Sequence, residues 1–161
     1  SNDSSEVLFI RQSASIIVHS ILPTETVPFH WPDDSQPKTL RFRQNTAKCT
    51  WSGHIDISAI GMHSLKLFHS ETGRFKLYRI DIRVHPDQPI LMISIADESK
   101  TEPLFRIDNY TGFNLLVRQS SLTTSSSQSI EPMKRSLWGW TEPTTYVLHS
   151  TSSNALQRLF D

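Results

Sequence analysis

Apolar and polar residues alternate along much of the chain with a period of two. The clearest stretch is residues 76–85, where Tyr78, Ile80, Ile82 and Val84 fall on one face, and three arginine or aspartate residues and Leu77 fall on the other. This period is typical of a strand with one buried face. We therefore expect the second group of side chains to face solvent.

Shorter runs of the same kind predict further strands. They lie at residues 7–10, 40–43, 65–68, 90–95, 104–108, 114–119 and 146–149. Turn-forming residues such as Gly53, Gly73 and Gly112 separate them. The pattern predicts an all-β fold of antiparallel sheets packed as a β-sandwich. The best helical candidate is residues 153–160, and the Ser/Thr-rich stretch 120–129 reads as a surface loop.

Composition is that of a soluble, folded domain with enough residues to bury a core. The 161 residues are 37% hydrophobic and 20% charged, and 16 basic residues balance 16 acidic ones. That balance argues against nucleic-acid binding, which rests on clustered Lys and Arg. Cys49 is the single cysteine, so no intrachain disulfide can form. With a polar beginning and only short apolar runs, we expect no signal peptide, no membrane span and a cytoplasmic location.

The chain also resembles itself at a distance of about 107 residues. Asn2 stands ten positions before Gln12, and Asn109 stands ten before Gln119; each stretch ends in three apolar residues followed by Arg-Gln. Further on, a proline precedes a tryptophan by eight positions in both halves, at 23 and 31 and at 132 and 140. We predict a tandem repeat, with one copy at residues 1–107 and the first half of a second at 108–161.

The repeated asparagine is the best candidate for a conserved role within the repeat. It stands just before a strand, where its amide can hold neighbouring backbone groups or tolerate a left-handed turn. Asn2 and Asn109 are therefore candidate site residues, either structural or adaptor-binding. The tryptophans are expected to close the core.

These repeated residues resemble a known family. The pattern of Asn109-Tyr110-Thr111, an apolar pair with Arg118-Gln119, and Trp140 to Pro143 is similar to the repeat of the Vps-thirteen adaptor-binding domain, also called the SHR-binding region. Its members are long, bridge-like proteins that move lipids between organelles. The resemblance implies β-sandwich repeats that bind Pro-x-Pro-type motifs of adaptor proteins and target the transporter to membrane contact sites.

What the resemblance implies for partners follows from that role. The chain would bind adaptor peptides, by addition of a strand to an exposed sheet edge, and neighbouring repeats of its own chain. Its membrane association would be indirect, through adaptors, and peripheral. No cofactor, metal or catalytic residue is expected.

Three other classes of function compete with this interpretation. An enzyme is disfavoured because the chain has neither a Gly-x-Ser-x-Gly elbow nor metal-ligand spacings. An extracellular, glycosylated or carbohydrate-binding sandwich is the main alternative, because Asn2 and Asn109 both begin acceptor sequons. A calcium-binding C2-like domain would use Asp33, Asp34 and other turn carboxylates, but their spacing is not compact.

Overall fold

A computed structural model describes residues 1–46, 48–70, 72–98, 103–120, 127–143 and 148–152, the last range by its backbone alone. Within these ranges every named element is a β-strand, as predicted for an all-β chain. No helix in the described part is long and apolar enough to cross a membrane. The predicted helix at 153–160 and most of the predicted Ser/Thr loop lie outside the described residues.

Seven strands form what we call the N-terminal unit. They are β1 (Leu8–Gln12), β2 (His19–Ile21), β3 (Thr39–Gln44), β4 (Ile55–Asp56), β5 (Gly61–His69), β6 (Arg74–Val84) and β7 (Leu91–Asp97). One sheet has the order β2-β1-β3-β4 and the other the order β5-β6-β7, with antiparallel pairing between adjacent strands.

Both sheets contribute to one hydrophobic core. Alternate residues of each strand point into it, as the two-residue period requires. The fully buried members include Leu8 and Phe42 from the first sheet and Tyr78, Ile80 and Ile82 from the second. The rings of Phe42 and Tyr78 meet edge to face at 5.3 Å. The complete buried set is Leu8, Ile10, Ile21, Leu40, Phe42, Ile55, Leu65, Leu67, Tyr78, Ile80, Ile82 and Ile95.

Five strands form the C-terminal unit. They are β8 (Arg106–Asp108), β9 (Leu115–Gln119), β10 (Gln128–Ile130), β11 (Arg135–Leu137) and β12 (Leu148–Ser152). Their sheets have the orders β11-β8 and β10-β9-β12. The predicted boundary between residues 107 and 108 falls within β8. A separate apolar cluster is built from Val117, Ile130, Trp138 and Trp140.

The C-terminal unit is joined to the outer edge and outer face of β5. Trp140 forms a parallel bridge with Leu65: its amide donates to the Ser64 carbonyl at 2.9 Å, and its carbonyl accepts from the Lys66 amide at 2.8 Å. A Cβ at Gly139 would stand 2.6 Å from Leu77 Cδ2 and 3.2 Å from Ser64 Oγ. Glycine is therefore needed for this close approach.

The structure corrects the prediction for β6 at two points. Tyr78, Ile80 and Ile82 are buried as expected, but Val84 is 60% exposed. β5 begins at Gly61, opposite Ile82, so Val84 extends beyond β5 and has no neighbouring residue on that side of the sheet within the described part of the chain. On the opposite face, Asp81 is buried rather than solvated, and Leu77 is half-buried because the C-terminal unit lies against it.

Candidate functional site

Asn2 and Asn109 are buried residues that lie six positions before the first residues of β1 and β9, respectively. Asn2 is 0% and Asn109 1% exposed. The Asn2 side-chain amide donates to the carbonyls of Glu6 and Ile21, at 2.8 and 3.0 Å. Its Oδ1 accepts from the backbone amide and the hydroxyl of Ser4, at 3.0 and 2.7 Å.

Asn109 repeats this arrangement almost bond for bond. Its amide donates to the carbonyls of Phe113 and Ile130, at 2.8 and 2.9 Å, and to that of Glu131 at 3.0 Å. Its Oδ1 accepts from the amide and hydroxyl of Thr111, at 2.9 and 2.7 Å. Every polar atom of both side chains is therefore used within its own unit, which leaves no free group to touch a partner.

The backbone around the two asparagines matches as well. The Asn2 amide donates to the Glu25 carbonyl at 2.9 Å, and the Asn109 amide to the Lys134 carbonyl at 2.8 Å. The residue before each acceptor has a positive φ, 64° at Thr24 and 56° at Met133. A non-glycine residue in that region is uncommon, so the same rare turn occurs at the same place in both units.

A second pair of buried amide side chains belongs to Gln12 and Gln119, the last residues of β1 and β9. Gln12 Nε2 donates to the Asp33 carbonyl at 2.8 Å, while Oε1 accepts from the Asp33 amide at 3.1 Å. Gln119 does the same with Glu142, at 2.8 and 3.2 Å. Both glutamines are 0% exposed. The repeated Arg-Gln ending was visible in the sequence. The bonds of its glutamine to the backbone of a residue more than twenty positions away were not.

One outward-facing feature distinguishes the N-terminal unit. β2 is the last strand of its sheet. The residues on either side of it expose large apolar side chains: Ile16 is 91% exposed, Ile17 52%, Val18 43% and Leu22 55%. An exposed apolar run at a sheet edge is a favourable place for another extended chain to pair. Sequence reasoning missed it because the run is too short and continuous to show a two-residue period.

The matching position in the C-terminal unit has a different chemical character. β10 pairs with β9 as β2 pairs with β1: Leu8 lies opposite Ile21, and Leu115 opposite Ile130. The residues that lead into β10 are serines, at 125–127, where the lead into β2 is Ile-Ile-Val. The two strands therefore correspond in their pairing, while the sequences that precede them differ.

A partly buried polar cluster connects strands of the N-terminal unit. Tyr78 donates its hydroxyl to Glu6 at 2.8 Å, and Gln44 Nε2 donates to the Tyr78 oxygen at 2.7 Å. Lys76 pairs with Glu6 at 2.9 Å and with Asp97 at 3.0 Å. Burial opposes ionisation of Glu6, but hydrogen bonds from Lys76, Tyr78 and Gln44 outweigh it and lower its pKa. Burial, with the neighbouring Glu6, raises the pKa of Tyr78. The cluster is fully partnered and serves the fold.

Lys66 lies where the two units meet. It is 4% exposed, and its ammonium has no hydrogen-bond partner among the described residues. It stands 3.9 Å from the centre of the Trp138 ring. Burial lowers its pKa to about 8.

The cysteine and the sequon asparagines make structural hydrogen bonds. Cys49 is buried, and its thiol donates to Gln44 Oε1 at 2.7 Å. Among the described residues, no group of three or more His, Cys, Asp or Glu side chains stands close enough to hold a metal ion. The sequon amides of Asn2 and Asn109 are buried and bonded, so a glycan on either would require those bonds to break.

The described residues thus define an all-β domain with an open apolar sheet edge, and comparison with known proteins places it in a family. The family model for the adaptor binding domain of vacuolar-sorting associated protein 13 matches residues 1–147. The chain belongs to this family of adaptor-binding domains, as the resemblance of its repeated residues indicated.

Two curated relatives agree with that placement. The chain is 26% identical over 127 residues to the human intermembrane lipid transfer protein VPS13D, and 27% identical over 132 residues to the intermembrane lipid transfer protein vps13A of Dictyostelium discoideum. Each match covers 78% of this chain. The chain spans only 3% and 4% of the lengths of these relatives.

Proposed function

We propose that the chain is an adaptor-recognition module of a lipid-transfer protein, and that the β2 edge of its N-terminal unit receives the adaptor as an added strand. The observation that carries this proposal is the open outer edge of β2, flanked by the exposed side chains of Ile16, Ile17, Val18 and Leu22. The family match supports the adaptor as the partner.

A peptide with a Pro-x-Pro motif suits such an edge. In an extended chain, residues two apart direct their backbone groups to the same side. Both prolines can therefore turn their missing N–H away from β2, while the residue between them pairs with the strand. The proline rings would lie against the apolar run. Adaptor binding of this kind would bring the transporter to organelle contact sites, with a cytoplasmic, peripheral location.

The proposal includes a repeat architecture. Corresponding bonds at Asn2 and Asn109, at Gln12 and Gln119, and the shared turn at Thr24 and Met133 support two copies of one β-sandwich unit, the second only half present. Asn2 and Asn109 would then be positioning residues: each fixes the end of β2 or β10 through the carbonyl of Ile21 or Ile130. A contribution of Asn109 to adaptor binding remains a prediction, and it would act through that strand.

Fluorescence anisotropy with a labelled Pro-x-Pro peptide tests the proposal. We expect saturable binding to the wild-type chain and at least tenfold weaker binding to Ile17→Lys, since a charge would stand where the proline ring packs. Ile60→Lys is the matched control, because Ile60 is an isoleucine of nearly equal exposure, 54%, away from β2. Equal binding by both variants, or no binding by a folded wild-type chain, would refute the assignment. Asn109→Ala with circular dichroism tests the positioning role.

A further inference from the structure

The N-terminal unit contains an apolar groove of about 700 Å³ that no described residue fills. One wall is β7 with the residues just before it, and the other is the loop from Thr26 to Trp31. The floor is core: Ile10, Ile21 and Leu40. Phe29, Trp31, Leu91 and Ile93 pack against the core but remain only partly buried.

The start of the chain enters this groove from one end. The Ser1 amine donates to the Ile93 carbonyl at 2.6 Å, and the Ile95 amide donates to the Ser1 carbonyl at 3.0 Å. Asn2 forms a parallel bridge with Ile95. Ser1 and Asn2 therefore already run as a short parallel strand beside the end of β7.

The backbone of β7 extends the same edge further back. Ile93 and Ile95 present backbone groups to Ser1 and Asp3. Because strand residues two apart face the same side, Leu91 presents its amide and carbonyl along that edge too. A strand that continued backward from Ser1 would meet these groups directly.

The C-terminal unit shows what occupies the corresponding position. β8 leads into Asn109 and pairs antiparallel with β11, Ile107 lying opposite Ser136. The side chain of Ile107 packs against the cluster of Val117, Ile130, Trp138 and Trp140. In the N-terminal unit the counterpart of β11 is the stretch from Thr26 to Pro28, which is a wall of the groove.

We propose that the groove is the seat of a strand that leads directly into Ser1 in the longer protein. The strand would pair in parallel with β7 and antiparallel with residues 26–28. It would place an apolar side chain on the groove floor, between two outward polar ones, in the pattern of Arg106-Ile107-Asp108. This inference rests on the repeat architecture of the proposed function. It also separates the groove, as a site within the array, from the β2 edge, as the site for adaptors.

Extending the chain tests this directly. Because Ser1 corresponds to Asp108 in the repeat, the sequence Leu-Phe-Arg-Ile, copied from residues 104–107, is placed immediately before Ser1. The matched control carries Leu-Phe-Arg-Asp, with a charge at the position that faces the groove. We expect the first extension to raise Tm by about 3–6 °C relative to the control. We also expect it to slow hydrogen exchange at the Leu91 and Ile93 amides at least tenfold.

Equal Tm and equal exchange in the two extended chains would overturn the proposal. So would loss of Pro-x-Pro peptide binding in the first extension alone, because the groove would then be the adaptor's seat. A failure of the adaptor hypothesis is distinguishable: neither chain would bind the peptide, while the Tm and exchange differences would remain.

Discussion

The N-terminal and C-terminal units use the same buried amides in very different surroundings. Asn2 and Gln12 bracket a strand within a core shared by two sheets, whereas Asn109 and Gln119 bracket a strand backed by a small cluster of four residues. The first unit exposes apolar side chains beside β2, whereas the sequence that precedes β10 is Ser-Ser-Ser. A shared internal frame can therefore be kept while the sequence beside the matching strand changes.

The largest expected effect comes from removing the buried asparagine of the N-terminal unit. Asn2→Ala would leave the buried groups of Ser4, Glu6 and Ile21 without their partner, and it should lower the free energy of unfolding by about 2–4 kcal/mol. Asn45→Ala, at an exposed asparagine, is the matched control and should change it by less than about 0.5 kcal/mol. Urea unfolding followed by tryptophan fluorescence measures both.

Asn109→Ala sharpens the comparison. It should loosen the C-terminal unit, with faster hydrogen exchange in β9 and β10, while exchange in β1, β3 and β6 stays slow. Loss of protection throughout the chain would mean that the two units fold as one, contrary to the comparison.

A smaller effect is expected where the units meet. Gly139→Ala places a methyl group against Leu77 and Ser64, so it should cost about 1–3 kcal/mol and blue- or red-shift the emission of Trp138 and Trp140. Gly112→Ala meets nothing within 4 Å and serves as the control. Unchanged stability in Gly139→Ala would show that β5 does not hold the C-terminal unit closely.

Lys66→Met tests the buried cation at the same junction. The folded-state pKa of about 8 lies below the unfolded value of 10.5, so the folded state disfavours the charged form. The destabilisation is full below pH 8 and is relieved as pH rises from about 8 to 10.5. The variant should be more stable than wild type at pH 7, by about 1–3 kcal/mol. Its stability should not show the increase that wild type gains between about pH 8 and 10.5. A wild-type stability that falls over that range, relative to Lys66→Met, would contradict the assignment.

The smallest effect is expected at the surface pair of Arg106 and Asp108. Arg106 Nε lies 2.9 Å from Asp108 Oδ1, but the arginine side chain is half exposed. Arg106→Ala should leave the urea midpoint unchanged, because exposed ion pairs are screened by water and salt. A measurable loss would indicate that β8 depends on this pair.

The alternation of residue types predicted the long strands well, because one face of β1, β3, β5 and β6 contacts a continuous core. It did not reveal the short strands β2, β4, β10 and β11, whose two or three residues are too few to show a period; β8, equally short, lies within the predicted strand at 104–108. The half-burial of Leu77 was also beyond it, because that depends on a distant residue, Gly139, lying against the outer face. Asn2 and Asn109 could be found from their repetition, but their saturation by backbone groups required the fold.

The most direct test of the central claim is hydrogen exchange of the wild-type chain with and without saturating Pro-x-Pro peptide. If the adaptor adds to the N-terminal unit at β2, the amides of His19 to Ile21 should exchange several-fold more slowly in the complex, while those of β10 stay unchanged. Protection confined to β10 or to the Leu91–Ile93 edge, or none at saturation, would contradict the account.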